Sequence, residues 1–165
     1  MNVYEKLKEL EITLPPPPPK GGVYTPVQAF GDHLLYCSGC ASTVGEESVV
    51  GKVGIDLTLE EGQHAAYLCA LNLLANLQEQ LGDLNRIKRL VKMLGFVNCS
   101  DQFAFQPAVI NGASNLFREL FGEQKGVPAR SAIGTNSLPG NAACEIELLV
   151  EIESGGLRQA MQSAG

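Results

Sequence analysis

The stretch Cys144-Glu145-Ile146-Glu147-Leu148-Leu149-Val150-Glu151-Ile152 decides the architecture. In an extended strand, Cys144, Ile146, Leu148, Val150 and Ile152 share one face, and Glu145, Glu147, Leu149 and Glu151 share the other. Such a strand belongs to a sheet with one face packed on a helical layer and a second face of mixed character. The carboxylate face has two readings. It is a plain solvated surface, or it lines a subunit interface with a pocket, where a partly desolvated carboxylate serves as acid or base.

Working outward, Leu138-Pro139-Gly140-Asn141 reads as the turn joining this strand to a preceding one, Ala129 to Asn136. Before that lies a helix with Ala113, Leu116, Phe117 and Leu120 at core spacing and a stop at Gly122, and before it a strand from Ile87 to Cys99. Thr58-Leu59-Glu60-Glu61 is a capping box. It opens a helix to Leu81 with Ala66, Cys69, Ala70, Leu73, Leu77 and Leu81 as its stripe and Gly82 as its stop. Val23 to Phe30 and His33 to Cys40 form a hairpin about Gly31-Asp32, and a glycine-rich loop, Gly45 to Gly54, follows. Residues 3–10 make a short amphipathic helix with Val3, Leu7 and Leu10 on one face; Pro15 to Pro19 then act as a stiff spacer that lays this helix over the domain. The order is ββαβαββ: an α+β fold with a mixed or antiparallel sheet and two long helices on one face. The uncovered face calls for self-association. The chain reads as a single domain, with a helix and spacer over residues 1–21, a core over 22–152 and a frayed tail over 153–165.

With 165 residues, 45% hydrophobic and 18% charged, the chain is long enough for a real core and has globular composition. A net charge of −6 argues against long-range attraction to nucleic acid. Lys88, Arg89 and Lys92 are the one basic cluster, read as a solvated strand edge. No apolar run approaches the ~20 residues of a membrane-spanning helix, and the N-terminus lacks a signal pattern, so a cytoplasmic location is expected. Cys37, Cys40, Cys69, Cys99 and Cys144 are expected to be reduced thiols. The pair Cys37 and Cys40 has half-zinc-site spacing. No second pair accompanies it, and an extended strand points residues three apart to opposite faces, so no metal is expected.

Arg130 sits among small and apolar neighbours in Val127-Pro128-Ala129-Arg130-Ser131-Ala132-Ile133. Its planar fork suits a carboxylate ligand; the competing role is a structural salt bridge to a strand glutamate. The run Pro128-Ala129-Arg130-Ser131, then Leu138-Pro139, then Glu145-Ile146-Glu147 resembles the C-terminal signature of the YjgF/RidA family, also called the endoribonuclease L-PSP or reactive-intermediate deaminase family. Tyr24 and the hairpin ending in Tyr36-Cys37-Ser38-Gly39 resemble its N-terminal signature. The resemblance spans roughly residues 22 to 152, and the N-terminal helix, the proline spacer and Asn111-Gly112-Ala113-Ser114 make the chain look like a longer bacterial branch.

The resemblance implies a chorismate-mutase-like fold of bacterial type, a homotrimer with pockets between subunits, and hydrolysis of enamine or imine intermediates to 2-oxo acids and ammonia. It implies no cofactor and no metal. Arg130 takes the role of the arginine gripping the substrate carboxylate, and Glu145 that of the glutamate orienting or activating water. Tyr24, Ser38, Gly39, Asn111 and Ser131 take pocket-lining roles. Two departures stand out. Ala132 replaces the family's cysteine two residues after the arginine, and the pocket asparagine corresponds to either Asn111 or Ser114. The alternatives are binding of a small carboxylic metabolite without turnover, and RNA cleavage, which the acidic charge opposes.

Overall fold

The capping box forms as read: Thr58 N donates to Glu61 Oε2 at 2.7 Å and Glu61 N to Thr58 Oγ1 at 3.2 Å. It starts the longest helix of the chain, which ends at Gly82 in the left-handed region (φ 73°). The computed structural model describes residues 2–153; the tail from Ser154 onward lies outside the described residues. The elements run α1 (Val3–Glu9), β1 (Val27–Phe30), β2 (Leu34–Ala41), β3 (Thr43–Val44), β4 (Glu47–Ser48), α2 (Leu59–Leu81), β5 (Ile87–Asn98), α3 (Gln106–Phe121), α4 (Glu123–Gly126), β6 (Ala129–Thr135) and β7 (Cys144–Ile152).

Five strands make one sheet in the order β1-β2-β7-β5-β6, while β3 and β4 form a separate small hairpin inside the glycine-rich loop. All pairings in the large sheet are antiparallel except β5 with β6. The sheet is therefore mixed, and α2 and α3 pack side by side against it. Their close approach depends on Gly112. A Cβ there would lie 1.9 Å from the backbone oxygen of Gln63. The core sits between helices and sheet, with Leu35, Met93, Ile146 and Leu148 meeting Leu73, Leu77, Ile110 and Phe117.

The structure corrects several expectations. Leu138–Asn141 does not close a hairpin, because β5 lies between β6 and β7; Pro139–Asn141 is a short 3-10 turn on a crossing connection. β5 is thereby an interior strand rather than a solvated edge, and its basic residues have partners: Lys88 and Arg89 hold Glu151 at 2.8 and 2.5 Å, and Lys92 donates to Ser131 Oγ at 2.7 Å. The first strand begins at Val27, not Val23, since Pro26 has no N–H for the ladder and restricts Thr25 before it.

Cys37 and Cys40 do not point apart. The register of β2 against β7 shifts between them, so three residues of β2 span two of β7. Cys37 pairs with Leu148 and Cys40 with Ile146, both inward-facing. All five cysteines are buried and free. Burial raises the Cys37 thiol strongly and pushes Cys40 and Cys144 up to about 12, so these thiols act as small apolar side chains. In α1, Val3 and Leu7 are buried, but Leu10 caps the helix and is exposed. Tyr4 fastens this helix to the body: its hydroxyl accepts from Leu84 N at 2.9 Å and donates to Gln78 Oε1 at 2.7 Å.

The sheet face away from the helices is not a plain polar surface. Leu94, Phe96 and Leu149 are half-buried there, and Ile133, Phe30 and Tyr36 expose 45%, 43% and 42% of their surface.

Candidate functional site

The carboxylates of β7 share one face, yet only one is left without a partner. Glu151 is clasped by Lys88 and Arg89 and is held below the usual carboxylate range, first by its hydrogen bond to Lys88. Glu147 accepts from the Tyr36 hydroxyl at 2.8 Å. Glu145 has no hydrogen bond or ion pair among the described residues, and its carboxyl is raised, by burial first and by neighbouring Glu147 second. The β2 irregularity that turns Cys37 and Cys40 inward also makes room for it. A Cβ on residue 39 would lie 2.3 Å from Glu145 Oε1, so only glycine at that position leaves the carboxylate where it is.

Glu145 opens into a cavity of about 730 Å³ formed where the pairing with the first strand stops, past the bond from Ser38 N to Pro26 O, and residues 39–41 of β2 are left as an edge. Tyr24, Ser38 and Gly39 line it. The Ser38 hydroxyl donates to Thr25 O at 2.7 Å, which ties the loop carrying Tyr24 to β2. Sequence reasoning missed two further groups. One wall is the proline spacer itself, Pro16 to Pro19, and the floor includes Asn72 and Asn76 of α2. Two asparagines four residues apart inside a leucine- and alanine-rich helix were the available signal, because a buried helix face carries polar amides only where something satisfies them.

Arg130 is elsewhere. It pairs with Met93, which pairs with Leu148, so it points to the helix side, whereas Glu145 pairs with Phe96 and points to the opposite face. The two residues are two strands and three ladder steps apart, roughly 10 Å across the sheet and 10 Å along it. Arg130 donates from Nη1 to Asn111 Oδ1 at 2.8 Å and Ser114 Oγ at 2.9 Å, and from Nη2 to Pro107 O at 3.3 Å. Both candidate pocket positions on α3 therefore serve the arginine. No carboxylate pairs with it among the described residues, so the salt-bridge role is set aside. Nε and one Nη2 hydrogen remain for a ligand, and partial burial lowers the guanidinium from its ordinary range. Ser131 faces the open side of the sheet with Lys92 and is not beside the Arg130 guanidinium.

The seven sequence-derived residues thus fall into groups at different parts of the sheet: Tyr24, Ser38, Gly39 and Glu145 at the β2 cavity, Arg130 and Asn111 at the β6 edge, and Ser131 on the open face. One cluster offers hydrogen-bond acceptors and a desolvated carboxyl; another offers an unpaired cation. Among the described residues no group of histidine, cysteine, aspartate and glutamate could hold a metal ion, and no helix is long and apolar enough to cross a membrane.

The family described as "YjgF/chorismate mutase-like, putative endoribonuclease" matches residues 6–152. A crystal structure of a protein of unknown function from Agrobacterium tumefaciens is similar at 42% identity, covering 92% of each chain with a TM-score of 0.83. A structure described as a putative endoribonuclease from Shewanella oneidensis superposes with a TM-score of 0.87 at 29% identity, over 92% of this chain and 100% of that one. Protein TCP17 of Trypanosoma cruzi is 47% identical over 106 residues, which are 64% of this chain and 66% of that protein's length. With its mixed sheet, its paired helices and this match along nearly its whole length, the chain belongs to the YjgF/RidA family and has its chorismate-mutase-like α+β fold.

Proposed function

We propose that this protein hydrolyses 2-imino acids, and the enamines that tautomerise to them, to 2-oxo acids and ammonia, in a site completed between two copies of the chain. The observation that carries the reading is Glu145. It is the one carboxyl of β7 without a partner, it is desolvated, and it opens into a cavity. Burial raises this carboxyl above its ordinary range, which makes it the better proton acceptor and donor for the transfer the reaction requires.

The chemistry needs an anion anchor, a proton shuttle and one water. Arg130 supplies the anchor through its two uncommitted donors, held in aim by Asn111 and Ser114. Water oxygen bonds to the imine carbon, and the proton it sheds passes through Glu145 to the nitrogen. The carbon–nitrogen bond of the resulting carbinolamine then breaks, leaving a carbonyl and ammonia. Glu145 and Arg130 of one chain face opposite sides of the sheet, so a small substrate touches both only when a neighbouring copy brings its β6 edge to the β2 cavity. The apolar open face around Phe96, Leu149 and Ile133 supports such an assembly, with a trimer as the expected form.

The test is to generate the enamine in situ from serine or threonine with a dehydratase and follow 2-oxo acid release with the purified protein. Acceleration over the spontaneous rate supports the reading. No acceleration with any imino acid, together with saturable binding of 2-oxo acids, would leave a metabolite-binding module instead.

A further inference from the structure

The cavity at the β2 edge has a chemical bias that the carboxylate grip at Arg130 does not account for. Its lining contains no lysine, arginine or histidine, and it receives three acceptors. Asn72 and Asn76 are only 2% and 6% exposed. Asn72 spends its amide nitrogen on Ala41 O and Thr43 O, at 3.1 and 2.6 Å, which fixes the amide's orientation. Asn76 donates to Cys40 Sγ at 3.3 Å. Neither side-chain oxygen accepts a hydrogen bond among the described residues, neither is sealed from solvent, and both residues line the cavity. Four residues apart on α2, the two asparagines stand one helical turn from each other on the same face. Glu145, also unpartnered, reaches the same cavity from the sheet.

A ligand bearing N–H groups gives these two acceptors the donors that the protein itself does not supply. Within one chain the Glu145 carboxylate has no cation beside it, which favours a cationic group at its end of the cavity. The opposite wall is apolar and rigid. Pro16 to Pro19 form a strap with no N–H to offer and little freedom to lose, and Tyr24 extends it. A cavity of about 730 Å³ also far exceeds the needs of a three- or four-carbon acid.

We infer that this cavity binds the nitrogen end of the ligand as a cationic iminium or ammonium group at the Asn72 and Asn76 oxygens, around the β2 edge from Glu145, with a bulky apolar substituent against the proline strap. The inference rests on the preceding reading in taking this cavity as the substrate's. It narrows the substrate class to imino acids with large apolar side chains. It also gives α2 a direct part in recognition: the two amide oxygens stabilise the protonated iminium, the form that water attacks, and then the departing ammonium.

Calorimetric titration at neutral pH with cyclohexylmethylamine, cyclohexanecarboxylate and methylammonium tests this without any turnover, run on the Arg130→Ala protein so that the arginine a neighbouring copy brings to the cavity does not hold the carboxylate. The apolar amine is expected to bind at least tenfold tighter than either comparison ligand. Asn76→Leu should weaken it about tenfold, and Pro17→Ser with Pro18→Ser should reduce its advantage over methylammonium. Asn76→Asp keeps the shape and adds charge, so it should tighten amine binding, and it stands in if the leucine variant fails to fold. Equal or tighter binding of the carboxylate, or amine affinity indifferent to residue 76, would overturn the inference. Failure of the deamination assay alone would not, because these titrations read the cavity and not the reaction.

Discussion

Residue 39 and Glu145 are locked together: a Cβ on Gly39 would stand 2.3 Å from Glu145 Oε1 and 2.9 Å from Cδ. The obstructing atoms are the end of a side chain, so Gly39→Ala need not break the sheet; it moves the carboxylate. The variant is expected to stay within about 1 kcal/mol of the wild type by denaturant titration and to lose most turnover. A Gly39→Ala protein with wild-type kcat/KM would show that the position of this carboxylate is irrelevant.

Gly112 makes the opposite case. Its hypothetical Cβ would meet the backbone oxygen of Gln63 at 1.9 Å, and backbone cannot swing aside. Gly112→Ala should therefore push α2 from α3 and cost about 1–3 kcal/mol, read as a lower denaturation midpoint. Unchanged stability would mean that the helix pair has slack the structure does not display.

For Arg130, the absence of any carboxylate partner among the described residues separates binding from folding. Arg130→Ala should leave the fold intact while weakening small carboxylates by about 2–3 kcal/mol in titration calorimetry. Lysine at the same position should restore only part of this, since a point charge does not reproduce the fork. A variant that unfolds would instead assign Arg130 to the framework through Asn111, Ser114 and Pro107.

Burial raises the Glu145 carboxyl, and the sign of the consequence follows. A carboxyl with a folded pKa above its unfolded value binds more protons in the native state, so stability falls as pH rises from the unfolded value through the folded one. Glu145→Gln removes that loss. The variant should melt higher than the wild type at neutral pH, and the difference should vanish in acid below the ordinary carboxylate range. A difference constant with pH would trace to packing and not to ionisation.

Much of the fold was legible because its signals are local. The β7 alternation, the Thr58–Glu61 box and the glycine stops needed no knowledge of the rest of the chain. The misreadings were non-local. Leu138-Pro139-Gly140-Asn141 has the chemistry of a hairpin turn, and nothing nearby in sequence says that β5 will insert between the strands it joins. The shift between Cys37 and Cys40 is likewise a matter of how β2 pairs with the distant β7, which period-two counting along β2 does not contain. Arg130 and Glu145, the two ends of the proposed site, came from the resemblance. Asn72 and Asn76 escaped because α2 was read for its apolar stripe, and the proline run was read as a connector when it is also a wall.

The central claim is that one chain's Arg130 works with another chain's Glu145. Subunit mixing tests it most directly. Arg130→Ala and Glu145→Gln proteins, each inactive alone, are unfolded together in equal amounts and refolded, and 2-oxo acid release is measured. Sites assembled between copies regain about one quarter of the wild-type rate, the chance that an intact arginine faces an intact glutamate under random assortment in a ring. Activity that stays at the level of the separate variants, from a mixture shown to contain hetero-oligomers, would contradict the account.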